Sequence, residues 1–205
     1  PTPRPAAASS EDQPAATRGG FCQQRAGGLA AVSEDGLSAR HTDDSGELMR
    51  GVLLGATPLA LDRNGLYFEV ELTEVRPDEC FDGLTVGVTA TPPDEAPDDP
   101  PTAEHVPQTW AVGYDGQMWD SGACELCVID WDPRDLKEGD RVGVFVTRAE
   151  GELLVFCNGV ACCPGPRGIP AASAPLYAVV DLLGAARAVR WCEGAVAPIG
   201  DQPNP

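Results

Sequence analysis

Apolar residues recur at every second position through the middle of this chain. In Leu66-Tyr67-Phe68-Glu69-Val70-Glu71-Leu72 the even positions are apolar, while Glu69 and Glu71 project to the other side. Leu84, Val86 and Val88 alternate with Thr85, Gly87 and Thr89, and Val142, Val144 and Val146 alternate across Gly143. Leu153, Val155 and Cys157 repeat the theme, and 176–183 and 188–191 are closer to continuous apolar runs. A period of two places each set on one face of a pleated strand. No window keeps helical spacing for two full turns, and only 131–138, WDPRDLKE, has the make-up of a short helical turn. Seven or more short strands without crossover helices predict antiparallel sheets. Each has a face to bury, so the expected fold is all-β, one sheet laid over another as a β-sandwich. Gly87 inside its strand predicts a close approach by a neighbour.

Turn chemistry supports this reading. Gly (23) and Pro (20) make up about a fifth of the 205 residues, well above the usual ~12%. Arg141–Thr147 runs into Arg148-Ala149-Glu150-Gly151, and 152–157 returns. Asn158-Gly159 then turns the chain again toward 160–163, because both residues tolerate positive φ. Cys157 is thus a strand residue beside a turn asparagine, and Asn158 and Gly159 are structural. Residues 1–20 are Pro/Ala/Ser-rich and predict a flexible arm, 194–205 a flexible tail, and 21–193 a single domain. Within it, 91–107 carries six prolines and five carboxylates with no Lys or Arg, and reads as a long solvated acidic loop.

Charge and chemistry narrow the function. Thirty-two carboxylates against 14 Lys plus Arg give a net charge of −18, which repels nucleic-acid backbones and anionic lipid heads, so no nucleic-acid partner is expected. No apolar run spans a membrane and no signal segment opens the chain. Eight cysteines without a regular framework predict free thiols in a reducing, intracellular, cytoplasmic setting, with an organelle after loss of a targeting segment left open. Cys124 and Cys127 are weak metal candidates, with Cys162 and Cys163 behind them. An extended 124–129 would point positions three apart to opposite faces, and adjacent cysteines rarely close one tetrahedral site, so no metal is expected. Only two histidines, His41 and His105, are present, and nothing in the sequence brings either to Cys157 as a catalytic pair. No cofactor fingerprint occurs, and no cofactor or catalysis is expected. Among twelve aromatics, Trp110 and Trp191 read as plugs between sheets. Trp119 and Trp131, beside loops, are equally readable as core or as interface anchors.

The strands also carry a family likeness. Asp140-Arg141-Val142-Gly143-Val144, Gly151-Glu152-Leu153-Leu154-Val155-Phe156, Asn158-Gly159-Val160 and 175–184 (PLYAVVDLLG) resemble the second half of a neuralized homology repeat (NHR) domain, a build close to the SPRY (B30.2) family. Tyr67-Phe68-Glu69-Val70 and 84–89 match the pattern both share; Thr109-Trp110 is similar to the NHR version, and 110–116 with Trp119 to SPRY. The likeness spans roughly 27–192 and is most specific over 139–184.

The resemblance implies a bent, concanavalin-like β-sandwich without catalytic residues that binds proteins through rim loops, with Asn158, Gly159 and Asp181 as scaffold. The candidate loops are 76–83, 91–109 and 114–123. The candidate partner-binding residues are Asp94, Glu95, Asp98, Asp99, Tyr114, Trp119 and Trp131. Two alternatives stay open: a structural or accessory subunit of a large assembly whose tails order on neighbours, and the substrate-recognition part of a ubiquitin ligase. Neither a RING-like block of spaced Cys and His nor an adaptor-box helix is present, so a ligase's catalytic part would lie elsewhere.

Overall fold

A computed structural model describes residues 19–76 and 80–199. Most of the expected arm, the end of the expected tail and residues 77–79 of one candidate loop lie outside the described residues. The strands are β1 (Phe21–Ala26), β2 (Ala30–Val32), β3 (Ser38–His41), β4 (Val52–Gly55), β5 (Gly65–Val75), β6 (Thr85–Thr89) and β7 (Thr109–Gly113). They continue as β8 (Gln117–Asp120), β9 (Glu125–Val128), β10 (Arg141–Thr147), β11 (Leu153–Cys157), β12 (Val160–Pro164), β13 (Tyr177–Asp181) and β14 (Ala186–Trp191). Every pairing is antiparallel. One sheet runs β1-β4-β13-β6-β7-β8-β9 and the other β12-β11-β10-β5-β14-β3-β2. The all-β sandwich expected from the period-two pattern is the fold observed. The turn over 131–138 is a single 3-10 turn at Pro133–Asp135, where the Asp132 side chain accepts from the Arg134 amide.

Between the sheets lies the main core. Leu66, Phe68, Val70 and Leu72 of β5, with Val142, Val144 and Val146 of β10, meet Val86 and Val88 of β6, Leu53 of β4 and Ala178 and Val180 of β13. These are the alternating positions of the sequence, each almost wholly shielded, and burying such a side chain stabilises by about 1.5–3 kcal/mol. Trp110 and Trp191 are both buried. Trp191 stacks on Phe68 at 5.4 Å between centroids and meets Phe21 edge-on at 5.4 Å, tying the first strand of one sheet to the other sheet. At Gly87 an added Cβ would meet the Trp110 carbonyl oxygen at 2.1 Å, so β7 approaches too closely for any other residue.

A second, smaller core was not anticipated. Val52 and Leu54 of β4, Ala111 of β7 and Val179 of β13 point away from the sandwich and are covered by Ala96, Ala103 and Val106. Residues 91–107 are therefore a strap across the outer face of the first sheet rather than a solvated loop. Its prolines explain why such a segment can lie flat on apolar surface: each brings a hydrophobic ring and no N–H to satisfy. The Thr89 and Thr91 hydroxyls both donate to the Pro107 carbonyl (2.8 and 2.7 Å) and tie its neck.

The chain between β1 and β5 does more than the polar make-up of 39–44 suggests. It contains three strands and a fully buried His41, whose Nε2 lies 2.9 Å from the Met49 carbonyl and whose Nδ1 accepts from the Asp43 amide. Burial lowers its pKa. A buried imidazole with both nitrogens engaged by backbone is a structural residue.

Candidate functional site

Two groups of loops end the sandwich. At one end, Gly83 N–H donates to the Tyr114 carbonyl (2.8 Å), Ile129 N–H to the Gly116 carbonyl (2.9 Å) and Arg134 to the Phe81 carbonyl (3.3 Å). These bonds join the candidate loop 76–83, the β7–β8 turn and the segment holding Trp131 into one rim. Tyr114 adopts φ 55° and Gly116 φ 96°, and with Asp115 between them they reverse the chain in three residues. Phe81 stands on this rim 86% exposed, while Trp131 is half-buried against the main core. Arg134 pairs with Asp132, which holds the Asp132 carboxyl below its usual range.

The strap's far bend reaches the same end. Asp181, at the end of β13, is wholly buried and its Oδ2 accepts from the Ala103 amide at 2.9 Å. Its Oδ1 has no hydrogen-bond partner. Burial, with Glu104 and Asp82 adding repulsion, pushes this carboxyl up to about 8, so it is largely protonated at neutral pH. Tyr114 donates to Glu104 Oε2 at 2.8 Å, and its own pKa rises through burial and that carboxylate.

Of the candidate partner-binding residues, the structure exposes Asp94 and Glu95 on a 3-10 turn beside a shallow groove of about 340 Å³ lined by Arg25, Pro93 and Tyr177. Asp98 pairs with Arg25, and Asp99 takes a bidentate contact from Arg50 plus the Gly28 amide at 2.5 Å. Arg50 first, then that amide, holds Asp99 below its ordinary pKa. These two acids fasten the strap. Tyr114 is buried, and Trp119 is half-buried on the outer face of β8. The seven residues do not form one patch: Asp94 and Glu95 sit on the strap's first turn, Trp119 on the sheet face and Trp131 on the rim.

The sequence reading passed over Leu126 and Val128, which are 49% and 87% exposed on β9. Their alternation with Glu125 and Cys127 was the available signal, but the segment drew notice only for its cysteines. Cys124 lies in the β8–β9 turn at φ 53°, with its thiol toward the Ser121 carbonyl (3.4 Å), whereas Cys127 lies on β9 against Glu125. Burial and then the Glu125 charge push the Cys127 thiol up. Cys22, Cys124, Cys127, Cys157, Cys162, Cys163 and Cys192 are free thiols. Cys157 and Cys162 adjoin across the β11–β12 hairpin and titrate as a pair: their hydrogen bond raises the Cys157 thiol, with burial adding to it, and lowers the Cys162 thiol. Among the described residues no group of three or more His, Cys, Asp or Glu is placed to hold a metal, and no helix is long and apolar enough to cross a membrane. Asn158 (φ 51°) and Gly159 (φ 79°) make the β11–β12 turn. The Asn158 side chain accepts from the Arg141 amide (2.9 Å) and donates to Asp140 (2.9 Å).

Comparison with known proteins places this frame. The Neuralized family model matches residues 21–193. The crystal structure of the Drosophila melanogaster neuralized NHR1 domain superposes with a TM-score of 0.62 at 17% identity, over 86% of this chain and 99% of that one. The solution structure of the NHR domain of Drosophila Neuralized gives 0.61 at 18%, over 89% and 96%. The SPRY domain of human HERC1 gives 0.54 at 16%, over 86% and 99%.

Proposed function

We propose, because this chain belongs to the Neuralized family, that it is a noncatalytic interaction module that binds a protein partner through the rim and the adjoining uncovered sheet face. NHR and SPRY domains are protein-interaction modules, some of them in ubiquitin ligases. The observation that carries the reading here is the exposure of Phe81, Leu126 and Val128, with Trp119 half-exposed, on a frame whose other large apolar groups are mostly buried. Exposed apolar groups set on rigid strands and short tied turns suit a preformed binding surface. The titratable groups favour the same reading. His41 is tied to loop backbone, and Asp181 lies sealed beneath the strap.

Asp94 and Glu95 extend the candidate surface at the opposite end, where they would meet basic groups of the partner. The immobilised chain is expected to retain one discrete protein partner. Trp119→Ala, and separately the pair Asp94→Lys with Glu95→Lys, should each weaken capture at least tenfold while the thermal midpoint stays within about 3 °C. Undiminished capture by both variants would remove this surface from consideration.

A further inference from the structure

The first sheet ends in β9, and this edge differs from the other three. β1 carries a register shift, its Phe21 amide donates to the Gly36 carbonyl, and Gln23 caps the Ser33 and Glu34 carbonyls. β2 is three residues long. β12 is bulged against β11 and ends in Pro164. Those are the usual devices that stop an edge from pairing. β9 has a regular register with β8 and contains neither proline nor lysine.

The register tells which groups this edge offers. Ile129 N–H donates to the Gly116 carbonyl, and every β8–β9 pair continues the same register. Hydrogen-bonded and non-bonded pairs alternate along an antiparallel ladder, so Cys127 and Glu125 bond to β8, and the N–H and C=O of Leu126 and Val128 face outward. Among the described residues nothing pairs with them. Side chains follow the pleat. Met118 packs on the main core, so its neighbour Trp119 faces the outside, as do Leu126, directly opposite Trp119, and Val128. Glu125 stands directly opposite Asp120 on the other side of the sheet, a like-charge pair, and no ion pair among the described residues supplies either with a cation.

We propose that the open edge of β9 takes an extended segment of a partner protein as an eighth strand, apolar on one side and basic on the other. The main-chain groups of Leu126 and Val128 would pair with it. Its apolar side chains would lie beside Leu126 and Val128, and its lysines or arginines would reach the Glu125–Asp120 side. A second copy of this chain is a poor occupant, because edge-to-edge pairing would bring Glu125 and Asp120 against the same carboxylates on a molecule of net charge −18. This inference rests on the interaction-module reading and names the chemistry of its partner.

The probe is a fluorescein-labelled octapeptide of alternating lysine and valine, titrated against the full chain at about 150 mM salt, where exposed charges more than ~8 Å apart are largely screened. It should bind saturably and slow hydrogen exchange at the Leu126 and Val128 amides. Val128→Pro removes an outward N–H without costing a ladder bond, and should weaken binding at least tenfold. Val128→Lys, at a side chain 87% exposed, tests the same edge if the proline variant fails to fold, and should weaken binding as much. A peptide of the same composition with lysines and valines in two blocks should bind at least tenfold less tightly. Equal binding of the block peptide, unchanged affinity of a folded Val128 variant, or protection elsewhere than on β9 would overturn the proposal. A wild-type chain that fails to bind the octapeptide yet retains its partner would refute the edge strand alone, whereas a wild-type chain that captures no partner at all would refute the module reading itself.

Discussion

The outer face of one sheet is treated in two ways. Across β4, β13, β6 and β7 it lies under a proline-rich strap, and Val52, Leu54, Ala111 and Val179 are shielded almost completely. Across β8 and β9, in the same sheet with the same pairing, Trp119, Leu126 and Val128 meet solvent. In the covered half β4, β7 and β13 read in sequence as near-continuous apolar runs because both faces are dry, while β6 keeps small or hydroxyl residues, Thr85, Gly87 and Thr89, on the covered side. In the bare half the outward positions are Gln117, Trp119, Leu126 and Val128, three of them apolar, which is unusual for a solvated edge. One half is covered and adds to the core, and the other is left bare.

The sharpest way to test this contrast is to place a charge on each half. Val179→Asp puts an unpaired carboxylate under the strap and should cost more than about 3 kcal/mol in urea unfolding, whereas Val128→Asp should stay within about 0.5 kcal/mol. Equal losses would erase the distinction.

The next effect is pH-dependent. Asp181 has a folded pKa of about 8, above its value in the unfolded chain. The folded state therefore holds a proton that the unfolded state releases above about pH 4. Stability should fall as pH rises from about 4 to 8, by at most about 1.4 kcal/mol per unit from this group. His41, lowered by burial, pulls the other way below its ordinary pKa, so the informative quantity is the difference between the wild type and Asp181→Asn. That difference should grow in favour of the variant toward pH 8, and a flat difference would deny that the acid is buried neutral beneath the strap.

Smaller still is the strap's fastening. Arg50 and Asp99 are partly exposed, at 44% and 36% of their side chains, so a double-mutant cycle on Arg50→Ala and Asp99→Ala should give a small favourable coupling that shrinks with added salt. Limited proteolysis should cut 94–101 faster in either variant. On the bare half, Trp119→Ala should lower stability by less than about 1.5 kcal/mol, since the ring is only half-buried, and its main effect should appear in binding.

Much of the frame was legible before any coordinates. Glu69 and Glu71 set against Leu66, Phe68, Val70 and Leu72 could satisfy both water and a core only as a strand. Asn158-Gly159 could accept two positive φ angles at little cost, and it does so. Less was legible where local signals conflict with long-range contacts. The composition of 91–107 is that of a solvated loop, and only its position over β4 and β13 makes Ala96, Ala103 and Val106 core residues. His41 stands in the polar stretch 39–44, and its burial depends on the 42–51 loop folding over it.

The sequence by itself determined that the chain builds strands, where most of them turn, and that a net charge of −18 repels polyanions. Those are properties of single residues and near neighbours, governed by φ preference, the pleat and Coulomb repulsion. Tertiary structure alone decided which outer faces are covered and which edge of four stays open. Both depend on residues far apart in the chain meeting at one surface, such as Ala103 with Asp181, and local pattern carries no record of such encounters.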